Sequence, residues 1–125
     1  MELKRTWIYC RVAHSGPDSA KLLEGQQLVL ENYARDHGLQ IVGASSDKGS
    51  GLTFDRPGLL DFLDAVDDEA VDVLLLLELD RLGRNVSKVF WYWQMLRGRG
   101  IQIKTVMDGD VDLGIYEMFQ KTIGK

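Results

Sequence analysis

The run Val71-Asp72-Val73-Leu74-Leu75-Leu76-Leu77 constrains the fold more than any other stretch of this chain. It is continuously apolar rather than alternating, the pattern of a strand buried on both faces. Such a strand needs helices on both sides of its sheet. Directly after it, Asp80, Arg81, Gly83 and Arg84 place one carboxylate and two guanidinium groups within five residues. In an open α/β sheet, ligands bind at the carboxyl ends of central strands. Arginines there lose hydration and rotamer freedom, so an anion is their natural partner. The planar fork of Arg suits phosphate. A plainer reading fits as well: a surface turn in which Asp80 caps a helix and pairs with Arg84.

The remaining chain alternates strand and helix patterns. Thr6–Val12 is β-branched and aromatic, hence a first strand, and Ser15–Ser19 reads as a loop running into a helix start. The spacing predicts a helix from about Ala20 to His37, with Leu22, Leu23, Val29, Leu30, Tyr33 and Ala34 inward and Gly38 as C-cap. Leu39–Ala44 is a second strand, and Ser45–Gly51 a polar, glycine-rich loop. Pro57 fits the first turn of a helix to about Asp67, with Leu59, Leu60, Phe62, Leu63 and Val66 inward. A helix over Val86–Arg97 buries Val86, Val89, Phe90, Trp93 and Leu96. Trp91 and Tyr92 cannot share that face, which leaves them partly exposed or at a subunit contact. Ile101–Met107 is a fourth strand, Asp108-Gly109-Asp110 an acidic turn, and Gly114–Thr122 the start of a last helix.

This order predicts an α/β fold of three layers, with a mainly parallel four- to five-stranded sheet flanked by helices. Arg11, the Ser45–Arg56 loop and the Asp80–Arg84 turn all follow carboxyl ends of parallel strands, so they converge on one edge. There Arg11, Arg81 and Arg84 are expected in one anion-sized pocket, while the glycine-rich loop leaves Arg56 room to stand apart.

One domain is expected for 125 residues, and the formal charge of −4 excludes gripping nucleic acid by bulk positive charge. Any phosphate binding must come from clustered arginines on an acidic background. No apolar stretch approaches the roughly 20 residues of a membrane helix, and no signal-peptide pattern opens the chain. The single cysteine, Cys10, cannot build a disulfide or zinc site and reads as a core residue, in line with a cytoplasmic setting. No cofactor is called for.

Taken together, Tyr9-Cys10-Arg11-Val12, Gln26, Gly49-Ser50-Gly51 with Asp55-Arg56-Pro57-Gly58-Leu59, and Leu79-Asp80-Arg81-Leu82-Gly83-Arg84 resemble the catalytic domain of serine recombinases, the resolvase/invertase family. The resemblance runs from about Thr6 to Leu113; its motifs are weak singly and specific in their order and spacing. It implies a DNA partner and a serine that attacks a phosphodiester to form a phosphoserine link. It also implies arginines that stabilise charge on the phosphoryl oxygens. Carried over, those arginines are Arg11, Arg56, Arg81 and Arg84, with Gln26 and Asp80 as the supporting glutamine and aspartate.

Two departures stand out. The position of the nucleophile, directly after Arg-Val, holds Ala13, whose methyl group cannot attack phosphorus. Ser15 is the candidate substitute, with His14 beside it as a base; a plain exposed loop is the alternative for both, and His37 reads as a helix-end cap. The chain also stops where the family's long dimerisation helix would begin, at Ile115–Phe119, and no helix-turn-helix follows. It is expected to be either a fragment or a stand-alone relic. Two functions stay open: a recombinase domain that binds a phosphodiester but is impaired, or an interaction module. As a module it would pair with an active recombinase subunit or hold another phosphorylated ligand. Homo-oligomers are expected of the full-length protein. An unrelated flavodoxin-like domain is disfavoured because the first loop lacks the glycine fingerprint for a nucleotide phosphate.

Overall fold

The computed structural model describes residues 3–13, 16–49, 54 and 56–114. Strand β1 (Arg5–Val12) leads to helix α1 (Ser19–Asp36), β2 (Gln40–Lys48), α2 (Pro57–Asp67) and β3 (Val73–Leu76). A short 3-10 turn (Leu79–Arg81), α3 (Val86–Gly98), β4 (Gln102–Thr105) and β5 (Gly109–Asp110) complete it. The five strands lie in the order β2-β1-β3-β4-β5. All pairs are parallel except β4–β5.

Side-chain alternation on the strands assigns the layers. Ile8, Cys10 and Leu75 pack with Leu30 and Ala34 of α1 on one face. Tyr9, Leu74 and Leu76 pack with Leu59 and Phe62 of α2 and Phe90 and Leu96 of α3 on the other. All four residues of β3 are buried, as its unbroken apolar run requires. Pro57 opens α2, and Gly38 follows α1 with a φ of 66°, a left-handed backbone that glycine adopts without strain.

Several local expectations are corrected. β2 does not end at Ala44 but continues through Ser45, Ser46 and Asp47 to Lys48, paired with β1 up to Val12. It is an edge strand, so its polar residues meet solvent or α2 rather than breaking the strand. Residues 109–110, read as a turn, form β5 against β4. Val86 opens α3 and is exposed, as are Leu22, Val29 and Leu60 on the flanks of their helices. Tyr92 is buried, whereas Trp91 is 66% exposed. Asn85 caps α3, its side chain accepting from the Lys88 amide at 3.0 Å, so Asp80 is not the cap that the surface-turn reading required. Of the last helix expected over Gly114–Thr122, all but Gly114 lies outside the described residues, as do His14, Ser15, Ser50, Gly51 and Asp55.

Trp7 explains one tight point of the sheet. Its ring lies over Gly43, where an added Cβ would stand 2.3 Å from Trp7 Cζ3. The indole donates to Ser45 Oγ at 2.9 Å, and that hydroxyl donates to the Gly58 carbonyl at 2.6 Å. β2 and α2 are thereby tied beside β1.

Candidate active site

The chain runs from β1 outward to β2, then returns to place β3 on the other side of β1. The strand order therefore reverses between β1 and β3, the place where open α/β sheets form a ligand crevice. The segments leaving these strands here are Arg11–Ala13 and Leu79–Arg84.

Arg11, the penultimate residue of β1, is 1% exposed. Its guanidinium donates to three backbone carbonyls: Nε to Arg81 at 2.9 Å, Nη1 to Gly49 at 2.7 Å and Nη2 to Asp80 at 2.6 Å. Arg56, at the N-cap of α2, is 7% exposed. It donates to Tyr9 Oη at 3.1 Å, to the Arg81 carbonyl at 3.4 Å and to the Leu82 carbonyl. Two buried cations thus grip consecutive carbonyls of the 79–82 turn. Burial and then the neighbouring Arg56 charge lower the pKa of Arg11, although a guanidinium stays charged at any ordinary pH.

Arg81 points its Nη1 back to the Arg11 carbonyl at 3.3 Å and pairs with Glu78 at 3.1 Å. Its side chain is one-quarter exposed, and its buried Nε has no hydrogen-bond partner among the described residues. Arg84 and Asp80 are exposed. Both line one hollow, and Arg11 grips the Asp80 carbonyl, so Arg84 lies near the same edge.

Gln26 reaches from α1 to the backbone of Arg11. Behind Arg56, Tyr9 donates to Asp47 Oδ2 at 2.8 Å, while Asp47 Oδ1 accepts from the Gly58 amide at 2.9 Å. Burial, then that bond to Asp47, raises the Tyr9 pKa above the usual tyrosine range, so it stays a neutral donor. Asp47 was missed in the sequence; extending the strand alternation past Ser45 would have turned it toward α2.

Ala13 is exposed and lines a hollow of about 270 Å³ with Val12, Gly16, Ser19, Leu22 and Arg81. A second hollow of about 440 Å³, mostly apolar, is lined by Asp80 and Arg84 with Leu79, Val86, Phe90 and Leu113. Neither is lined by Arg11 or Arg56. Backbone carbonyls, with the Tyr9 hydroxyl, take donors of the two buried arginines at this edge. Arg56 does not stand apart; it is among the least exposed polar residues.

The domain is a mainly parallel α/β fold with arginines gathered near its switch point. The family model of the resolvase N-terminal domain matches residues 6–123. The chain belongs to the resolvase family. The Tn2501 transposon resolvase of Escherichia coli is 29% identical over 111 residues, 89% of this chain and 54% of that protein. A Tn3 transposon resolvase from the same organism is 34% identical over 83 residues, 64% of this chain and 44% of the relative. The chain thus spans about half the length of the resolvases it matches. Among solved structures, the N-terminal catalytic domain of TP901-1 integrase superposes with a TM-score of 0.77 at 23% identity, covering 97% of this chain and 92% of that one. The C-terminal catalytic domain of ISC1926 TnpA, an IS607-like serine recombinase, gives 0.74 at 32% identity, with 95% and 80% covered. By family and by fold this is a serine-recombinase catalytic domain.

Proposed function

We propose that this domain binds a DNA phosphodiester at the carboxyl edge of its sheet and, with Ala13 at the nucleophile position, does not cut it. The observation that carries this is Ala13 itself, exposed directly after β1 beside the hollow that Arg81 lines. Arg81 and Arg84 are the groups a phosphate can reach. Arg11 and Arg56 hold the turn that presents them and add their field from below, where low dielectric strengthens it. Asp80 and Gln26 complete the set as supports. Exposed Asp61, Asp64, Asp67 and Asp68 make the outer side of α2 acidic, which favours DNA approaching at the arginine edge instead.

Strand exchange would need a hydroxyl at position 13, a DNA-binding element and partner subunits, either copies of this chain or an active recombinase. The loss of the hydroxyl favours the second arrangement, in which this chain is the non-cutting partner. Its proposed setting is the cytoplasm; no helix among the described residues is long and apolar enough to cross a membrane.

Incubation with supercoiled DNA followed by a denaturing gel tests the reading. The chain should give no covalent adduct. Ala13→Ser, fused to a resolvase dimerisation helix and DNA-binding domain, should give one. An adduct formed with Ala13 in place and lost on Ser15→Ala would make Ser15 the nucleophile and overturn the proposal.

A further inference from the structure

Arg56 is held by more than its carbonyl acceptors. Its Cζ lies over the Phe54 ring, 5.4 Å from the centroid, and over the Tyr9 ring at 5.7 Å. Phe54 in turn packs on Tyr92 of α3, ring centroids 4.9 Å apart at 40°. Tyr92 is 8% exposed, and its hydroxyl has no hydrogen-bond partner among the described residues. A buried hydroxyl without a partner costs stability, so the ring is what this position uses. The arrangement is a chain of contacts from α3 through two rings to a guanidinium, and from there to the carbonyls of Arg81 and Leu82.

We propose that Phe54 and Tyr92 are positioning residues for Arg56, Tyr92 bracing Phe54 and Phe54 holding the guanidinium beneath the 79–84 turn, which fixes Arg81 and Arg84. The consequence for DNA rests on the phosphodiester reading above. Carbonyls fix the direction in which the donors point, but they leave the guanidinium plane free to slide. Two aromatic rings within 6 Å restrict that freedom, and a ring face attracts the cation. An aliphatic side chain of similar size fills the space without the attraction.

Two measurements on the full chain separate the clamp from the DNA reading. The first follows the Arg56 side-chain Nε–H resonance by NMR without DNA, assigned by its loss in Arg56→Lys. Phe54→Leu, which keeps most of the volume, should remove the Phe54 share of its ring-current displacement and leave that of Tyr9, and Phe54→Tyr should retain both. A resonance unmoved by Phe54→Leu overturns the clamp whatever DNA does.

The second measures binding of a fluorescein-labelled duplex of arbitrary sequence. Phe54→Leu should weaken it about threefold to fivefold, the scale of one cation–ring contact between a buried guanidinium and a half-buried ring, and Phe54→Tyr should restore it. In an Arg56→Gln background Phe54→Leu should have no further effect. An equal loss in both backgrounds would mean that Phe54 acts independently of Arg56, which overturns the proposed relay. Absence of duplex binding by the unsubstituted chain would refute the phosphodiester reading while the resonance still decides the clamp.

Discussion

Gln26 closes on both backbone polar groups of Arg11, Oε1 accepting from the amide at 3.3 Å and Nε2 donating to the carbonyl at 3.0 Å. The contact fits a gap in the sheet. β3 pairs with β1 only from Thr6 to Ile8, so beyond Ile8 the β3 side of β1 loses its ladder. A side-chain amide from α1 supplies both a donor and an acceptor there. Gln26→Leu keeps the size, leaves the Arg11 amide unmet and its carbonyl with Arg81 Nη1 alone, and should cost about 1–3 kcal/mol. Urea unfolding measures it, and a loss below ~0.5 kcal/mol would show that Arg11 needs no such support.

Gly43→Ala should fail for a different reason. The added methyl group would overlap the Trp7 ring, itself anchored through Ser45 to α2. Relief requires moving the indole or the edge strand, and about 1–3 kcal/mol of destabilisation is the usual cost of such overpacking. Thermal unfolding gives the magnitude. Near-UV circular dichroism shows whether Trp7 has shifted, and an unchanged melting temperature would contradict the packing described.

Alkaline pH should unfold the domain through its buried neutral groups. Burial pushes the Cys10 thiol up to about 11 and raises Tyr9 and Tyr92 above the usual tyrosine range. A raised folded pKa gives stability that is complete below the unfolded value, about 8.5 for a thiol and 10 for tyrosine. For Cys10 that stability is lost as pH climbs from the unfolded value toward about 11. The urea midpoint should therefore fall between pH 8 and 10.5, and less steeply in Cys10→Ala. Rapid reaction of native Cys10 with Ellman's reagent at pH 8 would contradict the burial.

DNA binding, where measured, should be weak and steeply salt-dependent, because few cations are available against a formal charge of −4. Arg84→Gln should weaken binding uniformly across sequences and lower the salt slope by about one. Binding that is tight and indifferent to salt would place the DNA contact somewhere other than this edge.

The layered fold was legible because its signals are strong and local. Four buried residues of β3, Pro57 at the head of α2 and the apolar stripes of the helices each state one element. Topology alone sent Arg11 and the 79–84 turn to one edge, but not Arg56, which was expected to stand apart and instead grips that turn. What the arginines do on arrival did not follow. Whether a guanidinium faces solvent or a carbonyl depends on the path of the 79–82 backbone, and no periodicity records that path. Asp47 was hidden for a related reason, since a polar edge strand resembles a loop. Val86 misled because position within a helix end, rather than residue type, left it exposed.

Ala13 sits in solvent just past the end of β1, outside the buried core. A side chain so placed bears almost none of the fold's stability, and exchanging methyl for hydroxymethyl there should change unfolding free energy by under ~0.5 kcal/mol. The codons for alanine and serine can differ by a single base. The residue at this edge is therefore free to change by one nucleotide without rebuilding the fold, and on the proposed reading that one change decides whether the position carries a hydroxyl.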